Sequence, residues 1–281
     1  MKKLLKNRID FTVIFSVDGA NPNGDPLCGN RPRQIFEGNG EVSDVCIKRK
    51  IRNRLQDMGE NIFVQQDDRR LDEFTSLKER VMAFEPFKKE YSKKFPNTDT
   101  IRKSTCENWI DVRAFGQVFP FKGMGVSTNV RGCVSIGAAR SLGDIDIKEI
   151  FITKSTNLNN TADGRKDSAT IATKYVVDKA AYVFRGSIFP QLAEINGFTE
   201  TDAEKVHFAI KTMFYGDESA ARPSGSMNVQ QVYWWTHDCP NGQYPPIKVF
   251  RTLDIKSEDE YPYYSIIETP LLDLRPEKYT L

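Results

Sequence analysis

The sequence predicts an α+β fold of the split βαβ, ferredoxin-like kind, and three observations carry that prediction. Stretches of β-branched and aromatic residues recur at strand spacing. Two amphipathic helices with readable ends interrupt them, and two polar or charged excursions are inserted between core-like stretches. One domain spanning residues 1–281 is expected, with insertions at about 67–108 and about 151–175. No internal repeat or low-complexity tract is present.

Ile9 to Val17 alternates loosely between apolar and polar residues, as a half-buried strand does. Asn21-Pro22-Asn23-Gly24-Asp25-Pro26 concentrates turn formers into a rigid loop. A helix follows, capped by Ser43, with Asp44 in its first turn and Gly59 beyond its last periodic residue. Steps of about 100° per residue place Ile47, Ile51, Leu55 and Met58 in one stripe and Lys48, Arg49 and Arg52 on another face. Lys50 and Arg54 flank the apolar stripe. A basic face of this kind either meets a polyanion or simply faces solvent.

Asn61 to Gln66 reads as a short strand. From Asp67 to Asn108 the chain is dense in charge, and Leu71, Phe74, Leu77, Val81 and Phe84 recur at helical spacing until Pro86 and Pro96 interrupt. A projecting helical lobe is expected there. Trp109 to Gly116 alternates as a strand, and Gly132 to Ala138 reads as another. Between them, Gly123 to Arg131 combines small residues, hydroxyls, Asn129 and Arg131, a composition suited to phosphate.

Lys154 to Asp167 reads as a protruding hairpin with Asp163-Gly164 at its tip and basic residues beside it. Tyr175 to Phe189 returns to strand character. Thr201 and Glu204 have capping-box spacing before a core helix with the stripe Val206, Ala209, Ile210 and Met213, closed by Gly216. Arg222 lies in a small polar loop, and Val229 to Thr236 is a strand whose Trp234-Trp235 pair suits core, subunit interface or base stacking.

Composition narrows the function class. The 281 residues, 39% hydrophobic and 28% charged, with mean hydropathy -0.50, match an ordinary globular chain. No run approaches the roughly 20 apolar residues of a spanning helix, and Met1 to Lys6 carries no apolar leader core, so a cytoplasmic protein without membrane contact is expected. Five scattered cysteines with no C-x-x-C pair suggest reduced thiols. Forty basic against 38 acidic residues leave a net charge of +2, so any polyanion site must arise by segregation.

Catalytic signatures are sparse. His207 and His237 stand thirty positions apart with no H-x-x-H, H-E-x-x-H or His-Asp pair, and phosphate-loop, dinucleotide and G-x-S-x-G motifs are missing. No cofactor and no metal are expected. Paired carboxylates, Asp18 with Asp25 and Asp163 with Asp167, keep metal-dependent nuclease chemistry open, although Asp is also an ordinary turn residue.

Asn21 to Pro26, then Asp44-Val45-Cys46-Ile47-Lys48-Arg49-Lys50-Ile51-Arg52-Asn53, closely resemble the N-terminal signature of the CRISPR-associated backbone protein of type I-C Cascade. Asp111 to Phe119 and Val130 to Ser135 are similar to the central motifs of that family. The likeness covers the first half of the chain and thins beyond Phe151, where Gly164-Arg165-Lys166 is kept within divergent surroundings. The resemblance implies an RNA-recognition-motif-like (RRM-like) palm with a helical finger insertion and a β-hairpin thumb. It also implies a non-enzymatic subunit polymerised head to tail with adjacent copies of itself along one guide RNA (crRNA).

The other implied partners are the target DNA strand and the crRNA-processing, large and small subunits of the complex. The RNA-binding positions expected on both lines are Asn21, Asn23, Lys48, Arg49, Arg52, Ser127, Asn129, Arg131, Arg165, Lys166, Lys174 and Arg222. Lys88, Lys89, Lys93 and Lys94 of the lobe are expected to approach target DNA. Two other readings stay open: a metal-dependent ribonuclease using Asp163 or Asp167, and a structural filament without nucleic acid.

Overall fold

In the computed structural model, which describes residues 3–119, 128–153 and 171–281, strand β1 (Ile9–Ala20) lies in the middle of an eight-stranded antiparallel sheet. A two-residue ladder, β2 (Gly24–Asp25) with β3 (Arg31–Pro32), follows, then β4 (Asn39–Val42) and helix α1 (Asp44–Asp57). Helices α2 (Leu77–Ala83), α3 (Glu85–Tyr91), α4 (Thr98–Asn108) and α5 (Ile110–Phe115) come next. Strand β5 (Gly116–Phe119) pairs with β6 (Thr128–Arg131).

Strands β7 (Val134–Ile136), β8 (Ala139–Asp144) and β9 (Ile147–Thr153) all pair with the long β10 (Ile171–Ile188). Helices α6 (Pro190–Asn196) and α7 (Glu200–Lys211) precede β11 (Met227–Thr236). Helix α8 (Pro246–Phe250), the hairpin of β12 (Leu253–Ser257) with β13 (Tyr264–Glu268), and β14 (Glu277–Thr280) complete the chain. The main sheet runs β14–β11–β1–β10–β8–β4, so the chain order β1, β8, β10, β11 becomes the spatial order β11–β1–β10–β8.

The sheet is buried on both faces. Phe11, Val13, Phe15 and Val17 of β1 face a core shared with Ile47, Ile51 and Leu55 of α1 and Val206, Ala209 and Ile210 of α7. Ile14 points the other way, into a second core with Tyr233, Trp235, Val249, Leu253, Tyr263 and Leu274, supplied largely by the C-terminal segment. The expected alternation of β1 is therefore only half realised. Asp10, Thr12 and Ser16, which the sequence would turn to solvent, are buried beneath that segment. Trp234 and Trp235 divide between the two cores: Trp234 stacks on Phe11 at 5.2 Å, and Trp235 on Tyr233 at 5.8 Å. Both are core residues of this chain.

Burial brings Asp10 and His237 together although neither is near the other in sequence. Asp10 accepts from Arg8 at 3.1 Å, from the Ser187 hydroxyl and from His237 Nε2 at 2.9 Å, while His237 Nδ1 accepts the Gln243 backbone N–H at 3.0 Å. This network joins β1, β10 and the end of β11. With Asp10 and His237 almost fully enclosed, it satisfies polar groups inside the protein.

Four local expectations are corrected. Trp109 to Gly116 is not a strand but α5, because Asp111 turns inward to bind backbone groups and Gly116, at φ 81°, ends the helix. Asn61 to Gln66 forms no strand; its Phe63 and Val64 amides bind the Asp111 carboxylate at 2.8 and 3.1 Å instead of a β partner. The capping box before the core helix lies two residues earlier than Thr201, where Thr199 and Asp202 exchange bonds. In the charged insertion, Pro86 opens α3 rather than ending all helix there, and Phe63, Val81, Phe87, Ile101, Trp109 and Phe119 give these helices a core of their own.

Candidate nucleic-acid interface

The interface grows from the loop after β1. Asn21 is buried and donates to the Asn30 carbonyl at 2.7 Å, closing the turn. The Asn23 side-chain oxygen accepts both the backbone N–H and the hydroxyl of Ser43, at 2.9 and 3.0 Å. Ser43 Oγ in turn accepts the Cys46 N–H and caps α1. Asn21 and Asn23 thus serve as tethers that fix where α1 begins. Asp25 caps the following turn at Leu27, and Asp18 accepts from the Tyr263 hydroxyl at 2.9 Å, so each of these carboxylates has a local structural partner.

On α1 the three basic residues differ in state. Lys48 is bound to Asp44 at 2.8 Å, one turn back. Arg52 Nε meets the buried Asp111 at 3.0 Å and its guanidinium lies 5.0 Å over Phe115. Arg49 donates to the Val64 carbonyl at 2.6 Å, and its Nε has no hydrogen-bond partner among the described residues. Burial, helped by the neighbouring Arg52, pulls its pKa down to about 10, the mark of a cation held partly out of water without its own carboxylate.

The central motifs meet this face through a tight crossing. Gly116 pairs with Arg131 in the β5–β6 ladder, one residue beyond the Phe115 on which Arg52 rests. A Cβ at Gly132 would fall 2.3 Å from the Phe115 carbonyl carbon, and one at Gly116 would fall 2.4 Å from the Val130 carbonyl oxygen. Only glycine lets the two segments approach so closely. Asn129 and Arg131 alternate outward on β6 while Thr128 and Val130 turn in, and Arg131 has no ion pair among the described residues. Arg52 over Phe115 and Arg131 opposite Gly116 thus flank the Phe115–Gly116 junction, and Arg49 neighbours Arg52 on α1.

Other expected positions lie elsewhere. Ser127, Arg165 and Lys166 fall outside the described residues, as do Asp163 and Asp167. Lys174 sits half-buried on β10, opposite Ile150 midway along the β9–β10 ladder. Arg222 binds Asp217 at 2.9 Å, which is shared with the buried Lys50, so this pair braces α1 against the loop before β11. Among the lobe lysines, Lys93 is bound to Glu90 at 2.6 Å and Lys88 lies 3.7 Å from Glu85, whereas Lys89 and Lys94 have no carboxylate partner among the described residues.

Two groups escape sequence reading. Arg31 lies 4.5 Å over the Tyr175 ring and so ties the N-terminal loop to the β9–β10 ribbon. Arg113 forms a two-pronged bond to Asp202 at 3.1 and 2.7 Å. Burial would raise the Asp202 pKa, but Arg113 and the Thr199 donors outweigh it and hold the carboxyl below its usual range. The D-V-R spacing is the only signal: if 110–115 is helical, Asp111 and Arg113 leave it in different directions. No group of three or more His, Cys, Asp or Glu among the described residues is arranged to hold a metal ion.

A family model described as CRISPR-associated protein Cas7 matches residues 7–269. The chain belongs to this family. The CRISPR-associated protein Cas7 of Haloferax volcanii is 23% identical over 215 residues, covering 71% of this chain and 62% of that protein, so the match spans less than two thirds of the relative's length. A solved chain of a CRISPR RNA-guided surveillance complex in a pre-nicking state has a TM-score of 0.51 and 14% identity, over 87% of this chain and 86% of its own. A second surveillance-complex chain gives a TM-score of 0.48 at 16% identity, over 90% and 77%. The first of these likenesses concerns the mixed fold with its central antiparallel sheet. Every motif that carried the sequence resemblance lies inside the span matched to the Cas7 family.

Proposed function

We propose that this Cas7-family chain is a non-catalytic, crRNA-binding backbone subunit of a type I-C Cascade, polymerising head to tail along the guide and supporting its pairing with target DNA. In this reading the β11–β1–β10–β8 sheet with α1 and α7 is an RRM-like palm, α2 to α4 are the fingers, and the β9–β10 ribbon is the root of the thumb. The observation that carries it is the placing of Arg52 over Phe115, with Arg49 beside it on α1, next to the glycine-enforced crossing where Gly116 pairs with Arg131.

Guanidinia there can hold phosphates of any sequence, which suits a protein that leaves base reading to a guide. The adjoining partners are the crRNA-processing, large and small subunits. With a near-neutral chain, interleaved charge lets identical copies stack without mutual repulsion.

Arg131→Ala is the cleanest test, because that side chain makes no described ion pair or hydrogen bond that folding depends on. It should weaken binding of unrelated single-stranded RNA sequences to a similar degree and lower the salt slope of log Kd by roughly 0.7 for each phosphate that is no longer neutralised. An unchanged slope in both Arg131→Ala and Arg49→Ala would overturn the assignment. A purified assembly with the absorbance ratio of bare protein would favour the structural-filament reading instead.

A further inference from the structure

A second basic site lies in the cleft between the main sheet and the C-terminal hairpin, apart from the α1 face. The cleft measures about 470 Å³ and is bordered by Gly137, Ala138, Arg140, Leu142, Arg185 and Asp254, placing it in the size range of small-ligand pockets. Arg140 is directly opposite Val183 in the β8–β10 ladder, so Arg140 and Arg185 share one face as diagonal neighbours, roughly 7–8 Å apart at the backbone.

Neither arginine has a carboxylate within 4.0 Å among the described residues; Arg185 instead lies 5.7 Å from the Phe250 ring centroid. Asp254, the one acidic group of the lining, is 3.6 Å from Lys256 and partly neutralised by it. Opposite Arg185 stands Gly137, whose amide donates to the Arg185 carbonyl at 3.0 Å and where a Cβ would meet only that carbonyl oxygen, at 3.6 Å. A glycine not required by its backbone thus leaves this border of the cleft without a side chain.

We propose that this cleft binds a phosphate group, that of a nucleic-acid backbone, through the paired guanidinia of Arg140 and Arg185. Two planar forks supply more donors than a carboxylate has oxygens, and a tetrahedral oxyanion between diagonal arginines uses both. The apolar walls at Leu142, Val183 and Ile255 suit a sugar beside that phosphate. Although Arg185 is exposed as a whole, the protein around it lowers its pKa by desolvation, with no carboxylate acting in the opposite direction. A cation so placed gains from an anionic occupant. The site stands independently of the guide-binding face, since none of its residues belongs to α1, α5 or β6.

The test is photo-cross-linking of the full chain to oligothymidylate carrying 4-thiothymidine, with adducts mapped by mass spectrometry, and calorimetric titration with inorganic pyrophosphate. Adducts on residues 137–142 are expected. They should disappear in Arg140→Ala/Arg185→Ala and in Gly137→Leu, which fills the cleft and keeps both charges, while adducts near residues 128–131 persist. Thermal melting of the variants should stay near that of the parent chain. If the variants lose pyrophosphate binding at least tenfold but oligothymidylate adducts never appear at the cleft, free phosphate is the occupant and the nucleic-acid assignment fails. Wild-type levels of both in both variants would overturn the proposal.

Discussion

The His207 imidazole lies flat on the Trp234 indole, with ring centroids 4.2 Å apart and planes inclined by 14°. Burial, reinforced by Lys211, pulls the His207 pKa from 6.5 down to about 4, and the exposed Glu277 carboxylate 3.9 Å from Nδ1 does not offset it. The buried Nε2 has no partner among the described residues, so a proton there would have none either. The unfolded chain therefore takes up this proton at a higher pH than the folded one. Stability from His207 is complete above about pH 6.5, drains as the pH falls toward about 4, and changes no further below that. His207→Phe keeps the stack and removes the titration. Urea midpoints compared at pH 7 and pH 4.5 should show the parent chain losing roughly 2–3 kcal/mol more than the variant.

Asp111 holds α1, α5 and the 61–66 segment together through Arg52 and two backbone amides. Asp111→Asn cannot accept all three donors, and its amide nitrogen would face one of them. Equilibrium unfolding should report a loss of about 3–5 kcal/mol, as expected when one partner of a buried ion pair is removed. Combined with Arg52→Ala, the effect should be clearly less than additive, since both changes break the same ion pair.

The crossing of α5 and β6 makes a paired test of glycine. Gly132→Ala forces a methyl group against the Phe115 and Ala114 backbone, which has no flexible end to yield. A fall in Tm of roughly 10 °C, or failure to accumulate folded protein, is expected. Gly137→Ala meets only an ordinary van der Waals neighbour and should change stability by no more than about 0.5 kcal/mol.

Thiol reactivity should follow burial. Cys106 and Cys133 are enclosed, and burial pushes their pKa values up to about 12, whereas Cys28 is exposed on its turn. A disulfide reagent at pH 8 should modify Cys28 first, and Cys106 and Cys133 only in denaturant. Rapid reaction of either buried thiol in the native protein would mean that the interior near α4 and α6 opens readily.

Much of the scaffold could be read from residues because local chemistry and tertiary packing agree there. Ser43 caps α1 as its hydroxyl suggests, and Ile47, Ile51 and Leu55 enter the core as their spacing requires. Agreement fails where a distant partner decides. Ile110 to Phe115 has strand-like alternation, yet Asp111 is satisfied by amides nearly fifty positions away, a bond invisible to any local window. The basic face of α1 was legible as a stripe of charge. Its division into the paired Lys48 and Arg52 and the carbonyl-bound Arg49 was not, because that depends on Asp44, Asp111 and Val64 meeting the helix in space.

The C-terminal segment that encloses Tyr233 and Trp235 has a topographic consequence. An open four-stranded sheet offers aromatic rings as a landing for bases, but here those rings lie beneath a lid made of α8 and the β12–β13 hairpin. Stacking a base on those rings would require this cover to be lifted first.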